Sequence, residues 1–330
     1  MADDTLGTMA TTMATDLTAA IDRARAPMGV RRVPRVDLAT RLRTSAALHR
    51  LLPPRLALAR AGAKGRRHCQ DPTALAWSRT VMTAILAGTA REGEIEELAK
   101  RRLVEEQMIE ALFWQRPWRP CRVGEDSRAA RDRAFASGRR VVVSACHLGP
   151  FFLQASVIAE TGVSSIAVSA PFFFAEPTPD RWGRRLARWW MGLRDRGDRV
   201  VYSVGSFEVL RALIELDETV LIYFDLPGSM RTRFLGKPVM LASGTAQLAH
   251  QTDALVLPIR CRREGTRVWA DVFEALDPRD YAGAEELQGA IAAVHERSIL
   301  EFPECLEDPT RAGAWESAAG PEEWARPRAD

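Results

Sequence analysis

The chain has 330 residues, 46% of them hydrophobic and 27% charged, so it can bury a full core as one large domain or two smaller ones. Its 46 basic and 43 acidic residues leave a net charge of +3, and no global field argues for nucleic acid. Cys69, Cys121, Cys146, Cys261 and Cys305 are odd in number and far apart, with no C-x-x-C pair. That argues against a disulfide scaffold or a zinc site and fits a reducing, cytoplasmic compartment. No apolar run reaches the roughly 18 to 20 residues that a bilayer span needs. The best, Leu75 to Ala87, is short and carries Arg79. The start, with Asp3 and Asp4 and no continuous apolar core, does not read as a signal peptide.

Residues 1–35 are rich in Met, Thr, Ala and Arg and read as a flexible tail, with a helical turn or two from Asp16 to Arg25. A basic amphipathic segment there leaves peripheral contact with an anionic membrane open. Residues 36–137 read as a helical region packed on the core. Leu51-Leu52-Pro53-Pro54 breaks one helix and starts the next. Ile95, Leu98, Leu103, Met108, Ile109, Leu112 and Phe113 form the core stripe of another helix. Arg116 to Gly124 reads as loop, and a charged helix from Ser127 to Ser137 ends at Gly138.

Residues 138–310 alternate strand and helix. Strands are expected at Arg140–Cys146, Ser164–Ser169, Thr219–Phe224, Leu255–Arg262 and Arg267–Phe273. Helices are expected at Phe151–Glu160, through Trp189-Trp190, at Phe207–Leu216 capped by Ser206, at Ser243–Thr252 and at Ala284–Glu301. Phe234 to Pro238 reads as a tight apolar turn, and residues 311–330 as a tail. The alternation predicts an α/β fold, a mostly parallel central sheet flanked by helices, with the helical N-terminal region added to it.

Val141-Val142-Val143 reads as a strand buried on both faces, running into His147 and stopping at Gly149-Pro150. Asp225 ends a second buried strand, so both side chains should line the carboxyl edge of the sheet, where open α/β sheets place ligands. Ser243-Gly244-Thr245 opens a helix whose free N–H groups suit a phosphate or an oxyanion. Cys146 points away from His147 and belongs to the core rather than to a Cys–His dyad. His49, His68, His250 and His295 show no metal-ligand spacing. The arginines beside Trp189 and Trp190 read as an exposed face on a helix with one packed Trp.

In this order and spacing the features resemble the lysophospholipid acyltransferase superfamily, in particular its lipid A and phosphatidylinositol mannoside acyltransferase branch. The resemblance runs from about Leu51 to Asp308. It rests on Val143 to Gly149, on Ile222 to Pro227 and on Phe234 to Arg263, with Leu235-Gly236-Lys237-Pro238, Ser243-Gly244-Thr245-Ala246 and Val256-Leu257-Pro258 inside that last block. It implies a cofactor-free, metal-free transfer of an acyl group to a hydroxyl or amine of a small or lipid-like acceptor. The donor it implies is an acyl carrier protein or coenzyme A thioester; a less expected alternative is another activated acyl ester such as an aminoacyl-tRNA. It implies His147 as general base, Asp225 in the pocket, and Arg194 and Arg196 near the carrier or acceptor phosphate.

The sequence also departs from the family's pattern. Phe152 stands where the first motif, His then four residues then Asp or Glu, has its acid, and Pro150 stands where Asn is usual. The N-terminal membrane-spanning anchor is missing. Two readings follow. In one, Glu176 or Asp225 supports His147, while Phe151, Phe152 and Phe172 to Phe174 shape an acyl or acceptor pocket, Phe152 contacting substrate with Ser243, Gly244 and Thr245. In the other, the site is dead and the fold serves as a binding or partner subunit.

Overall fold

The computed structural model describes residues 16–115, 121–170, 173–203 and 205–307. The described chain enters on a helix ending at residue 25 (α1). It continues through α2 (Leu38–Arg43), α3 (Ala46–Leu51), α4 (Pro54–His68), α5 (Pro72–Leu86) and α6 (Ile95–Gln115). The helix starts follow local chemistry. Asp71 accepts from the N–H groups of Thr73 and Ala74, with Pro72 in the first turn of α5, where its missing N–H costs nothing. Residues 16–35 make definite contacts with the rest of the chain: Ala24 is buried with Leu213 and Val220, and Gly29 O accepts from the Trp190 indole at 2.9 Å.

Strand β1 (Arg122–Val123) and α7 (Glu125–Ala136) lead to β2 (Val141–Ala145), in which every residue is buried. Gly138 closes the helix end at φ +69°, where a side chain would be strained. A single 3-10 turn at Phe151–Leu153 runs into α8 (Gln154–Ala159), so the expected helix over Phe151–Glu160 is split. Then come β3 (Ser165–Ser169), α9 (Arg181–Asp195), β4 (Arg199–Tyr202), α10 (Phe207–Glu215) and β5 (Thr219–Tyr223). The hairpin β6 (Pro227–Phe234) and β7 (Lys237–Leu241) is followed by α11 (Gly244–Thr252), β8 (Leu255–Glu264), β9 (Arg267–Val272) and α12 (Ala284–Glu301).

The fold class is α/β, as expected. Seven strands form one sheet in the order β1-β9-β8-β2-β5-β3-β4, in which β8, β2, β5, β3 and β4 are parallel and β9 runs against β8. The odd residues Val141, Val143 and Ala145 of β2 face a core shared with α7, α8, α9 and the end of α6. Val142 and Cys146 face the opposite layer, built from α10, α11, α12 and α5. Both faces are therefore covered, which is why β2 reads as an unbroken apolar run. Cys146 is fully buried, as its strand parity required.

Two local expectations are corrected and a third is extended. Ser206 does not cap α10; its hydroxyl donates to Ser203 O at 3.0 Å. Strand β4 was not anticipated, because it is a short edge strand with partly exposed residues after Gly197. The expected turn at Phe234 to Pro238 is there, as the tip of a two-stranded hairpin, with Leu235 and Gly236 both at positive φ, as a type I′ loop requires.

Candidate active site

Strands β2 and β5 are parallel neighbours with Ala145 opposite Tyr223. Stepping two residues beyond that pair keeps the same face and brings His147 level with Asp225. The Asp225 carboxylate holds the histidine twice. Oδ2 accepts from the His147 backbone N–H at 2.9 Å, and Oδ1 lies 3.0 Å from Nδ1. With Nδ1–H donating to the carboxylate, Nε2 carries the free lone pair. The imidazole side chain is 21% exposed and that of Asp225 only 5%, so the ring is partly open and its partner is buried.

The backbone behind the ring is clamped from several sides. His147 O accepts from Glu307 N at 2.8 Å, Gly149 N donates to Cys305 O at 2.9 Å, and Gln154 Nε2 donates to Cys146 O at 3.0 Å. Gly149 takes φ +63°, and a Cβ there would stand 2.4 Å from Cys261 O. Both conformation and space demand glycine.

Burial works against the imidazolium, but the Asp225 anion outweighs it and raises the His147 pKa above its ordinary value. In Asp225 burial pushes the other way, and the charge and hydrogen bonds of His147 bring the carboxyl below its ordinary value. Burial and the neighbouring Asp225 push the Cys146 thiol well up, which removes it as a nucleophile.

Tyr223 stacks on the imidazole at 4.1 Å and Phe151 meets it edge-on at 4.9 Å. From Phe151 an aromatic series continues through Trp189, Phe173, Trp190 and Phe174 to Tyr202, with ring centroids 5.4 to 6.0 Å apart. Phe174 and Tyr202 end it at the surface. Sequence reasoning missed Tyr223 and Trp189 as site residues. A usable signal was present for Tyr223, two residues before Asp225 and so on the same strand face.

The other expected site residues are distributed as follows. Phe152 is buried in the core with its ring edge-on to Phe113 at 5.0 Å; Phe151 is the phenylalanine that meets the histidine. Glu176 is exposed and faces Arg31. Phe172 lies outside the described residues. Arg194 pairs with Asp195 at 2.7 Å. Arg196 pairs at 3.0 Å with buried Asp198, which in turn accepts from Ser165 at the start of β3. Both arginines therefore stand at the amino edge of the strands, opposite to His147. Ser243, Gly244 and Thr245 are on the histidine's edge, since Ala242 N donates to Leu226 O at 2.8 Å beside Asp225. Thr245 Oγ1 is buried and makes no hydrogen bond among the described residues.

No group of three or more His, Cys, Asp or Glu side chains is arranged to hold a metal ion among the described residues. No described helix is long and apolar enough to cross a membrane. An imidazole held in this way can take a proton at Nε2 and return it.

The chain matches no protein-family model and no curated protein. Among solved structures it is similar to the crystal structure of the 1-acyl-sn-glycerophosphate (LPA) acyltransferase, PlsC, from Thermotoga maritima. That likeness has 13% sequence identity and a TM-score of 0.36, and covers 78% of this chain and 98% of the other.

Proposed function

We propose that the protein is an acyltransferase that moves an acyl group from an activated donor, a thioester or other acyl ester, to a hydroxyl or amine of a small or lipid-like acceptor. The observation that carries this reading is the His147–Asp225 pair at 3.0 Å, with the imidazole partly exposed and its carboxylate partner buried. The resemblance of the His147, Asp225 and 234–263 blocks to the lysophospholipid acyltransferases supplies the reaction class. Nε2 takes the proton of the acceptor as its oxygen or nitrogen attacks the donor carbonyl. The intermediate expels the thiolate or alkoxide, which takes the proton back from the imidazolium. Asp225 holds the ring and stabilises the imidazolium, the task that the absent acid at position 152 would otherwise perform. A carboxylate in that role favours an active enzyme over a dead binding subunit. Glu176, on the surface, is not assigned to catalysis.

Val30, Val33, Leu38, Leu42, Leu48, Leu51 and Leu56 are exposed, and Arg41, Arg43, Arg50 and Arg55 stand among them. This supports a peripheral contact with anionic lipid, tested by co-sedimentation with anionic and neutral vesicles.

The deciding assay follows thiol release from acyl-coenzyme A and acyl-carrier-protein thioesters, with a panel of amines and alcohols. Turnover should vanish in His147→Ala. Turnover indifferent to that substitution would overturn the mechanism.

A further inference from the structure

The cations on α2, α3, α4 and the exposed side of α9 do not behave as an ordinary solvated face. The guanidinium groups of Arg181 and Arg188 lie over the Trp114 indole at 5.7 and 5.6 Å, and His49 stacks on the same ring at 6.3 Å. Arg184 donates to Thr44 Oγ1 at 2.7 Å, which fixes it beside them. Lys64, Arg43 and Arg67 repel one another from α2 and α4, and Arg50 adds its charge from the end of α3. Glu110 answers this group, and it is engaged by Arg181 and Arg185. Among the described residues no carboxylate stands within ion-pair distance of Arg43, Arg50, Arg184 or Arg188.

Arg181 and Arg188 share one ring, Lys64 feels Arg181, and Arg188 feels Arg50 and Arg184, so like charges repel at a cost that water only partly screens. Arg188 is half-buried, and burial together with Arg50 and Arg184 pushes it down to about 10. A multiply charged anion would reverse the balance, and guanidinium forks match phosphate oxygens in pairs. We propose that the Trp114-centred cluster of Arg50, Arg181, Arg184, Arg188 and Lys64 is a binding site for the phosphate or diphosphate of a soluble ligand. Resting on the acyltransferase reading, that ligand is the activated donor. The next residue after Arg188 is Trp189, whose ring meets Phe151 at 5.6 Å, and Phe151 meets His147 at 4.9 Å. Packed rings thus link the cluster to the imidazole.

The test is calorimetric titration of the full chain at low and moderate salt with three probes: coenzyme A, inorganic pyrophosphate, and pantetheine, which lacks phosphate. Coenzyme A and pyrophosphate should bind and weaken with salt, while pantetheine binds far less well. Arg188→Gln and Arg50→Gln should each raise the dissociation constants roughly tenfold or more. The distant exposed variant Arg279→Gln should leave them unchanged, with melting curves confirming that all three variants fold. Coenzyme A binding far more tightly than pyrophosphate supports the nucleotide donor; equal binding keeps the phosphate site and overturns its assignment to the donor. Phosphate binding that ignores the arginine variants, the absence of phosphate binding at low salt, or binding to anionic vesicles alone would overturn it. Phosphate binding without thioester turnover would leave this site standing and remove the acyltransferase reading instead.

Discussion

At the scale of single residues, His147 and Asp225 pull each other's titrations apart, and the signs decide when the pair works. The His147 pKa lies above its ordinary value of about 6.5, so the neutral base is populated only at pH above that raised value. Turnover should therefore rise with pH along an acid limb centred above that ordinary value. In Asp225→Asn the anion that raises it is gone. The limb should move to lower pH while turnover drops on the order of 10²- to 10⁴-fold, as when a histidine loses its orienting acid. A pH–rate profile of both proteins checks this, and an unmoved limb would refute the pairing. The same shifts set a stability window. Lowered Asp225 contributes above about 3.9 and loses its contribution as pH falls through its folded value. Raised His147 contributes below about 6.5 and loses its contribution as pH rises through its folded value. The pair's help to folding peaks between about 4 and 6.5.

At the scale of elements, two turns hold the site. The Gly149 turn after β2 sits against the β8 backbone, so Gly149→Ala combines a strained φ with a collision at Cys261 O. A loss on the order of 2 kcal/mol or more is expected in urea unfolding, and an unchanged midpoint would refute the fit. The β6–β7 tip is the second. Leu235 has φ +52° and is fully buried, its N–H donates to Glu296 at 2.7 Å, and Lys237 Nζ reaches Ala84 O at 2.9 Å. The tip is wedged between α5 and α12, which offsets the strain of a non-glycine there. Leu235→Ala leaves the backbone strain and removes the packing, so a loss of roughly 2 to 5 kcal/mol is expected by thermal unfolding.

At the scale of the whole molecule, the layer behind the sheet carries a buried histidine that ties acid stability to the fold. His295 is fully buried, 2.9 Å from Ser144 Oγ on β2 and stacked on Phe224 at 4.5 Å. Burial, with Arg260 adding to it and Asp225 opposing, lowers its pKa to about 4. The unfolded chain binds that proton first, so stability falls as pH drops from about 6.5 toward 4, by roughly 3 kcal/mol from this group. Urea unfolding across that range should show the slope in wild type and lack this share of it in His295→Phe. Equal slopes would show that the histidine does not carry it.

Much of this organisation was written locally. The triple valine of β2, the apolar spacing of α12 over Ala284–Glu301, and the prolines and glycines at the element ends each act within a few residues. The α/β layering and the carboxyl-edge placement of His147 and Asp225 followed from them. What the chain could not express locally was adjacency. Strands β2 and β5 are separated by two strands and three crossover connections, and only the sheet order places them side by side in the register that joins the imidazole to the carboxylate. The missing acid at Phe152 therefore looked like a loss in the sequence, although the partner comes from a strand tens of residues away. Arg194 and Arg196 show the converse, since spacing alone did not reveal that the end of α9 lies at the amino edge. Short edge strands such as β4 and the neighbours of Trp114 depend in the same way on long-range packing. A contact between distant residues has no local period, so the tertiary structure alone decided which charges and rings meet.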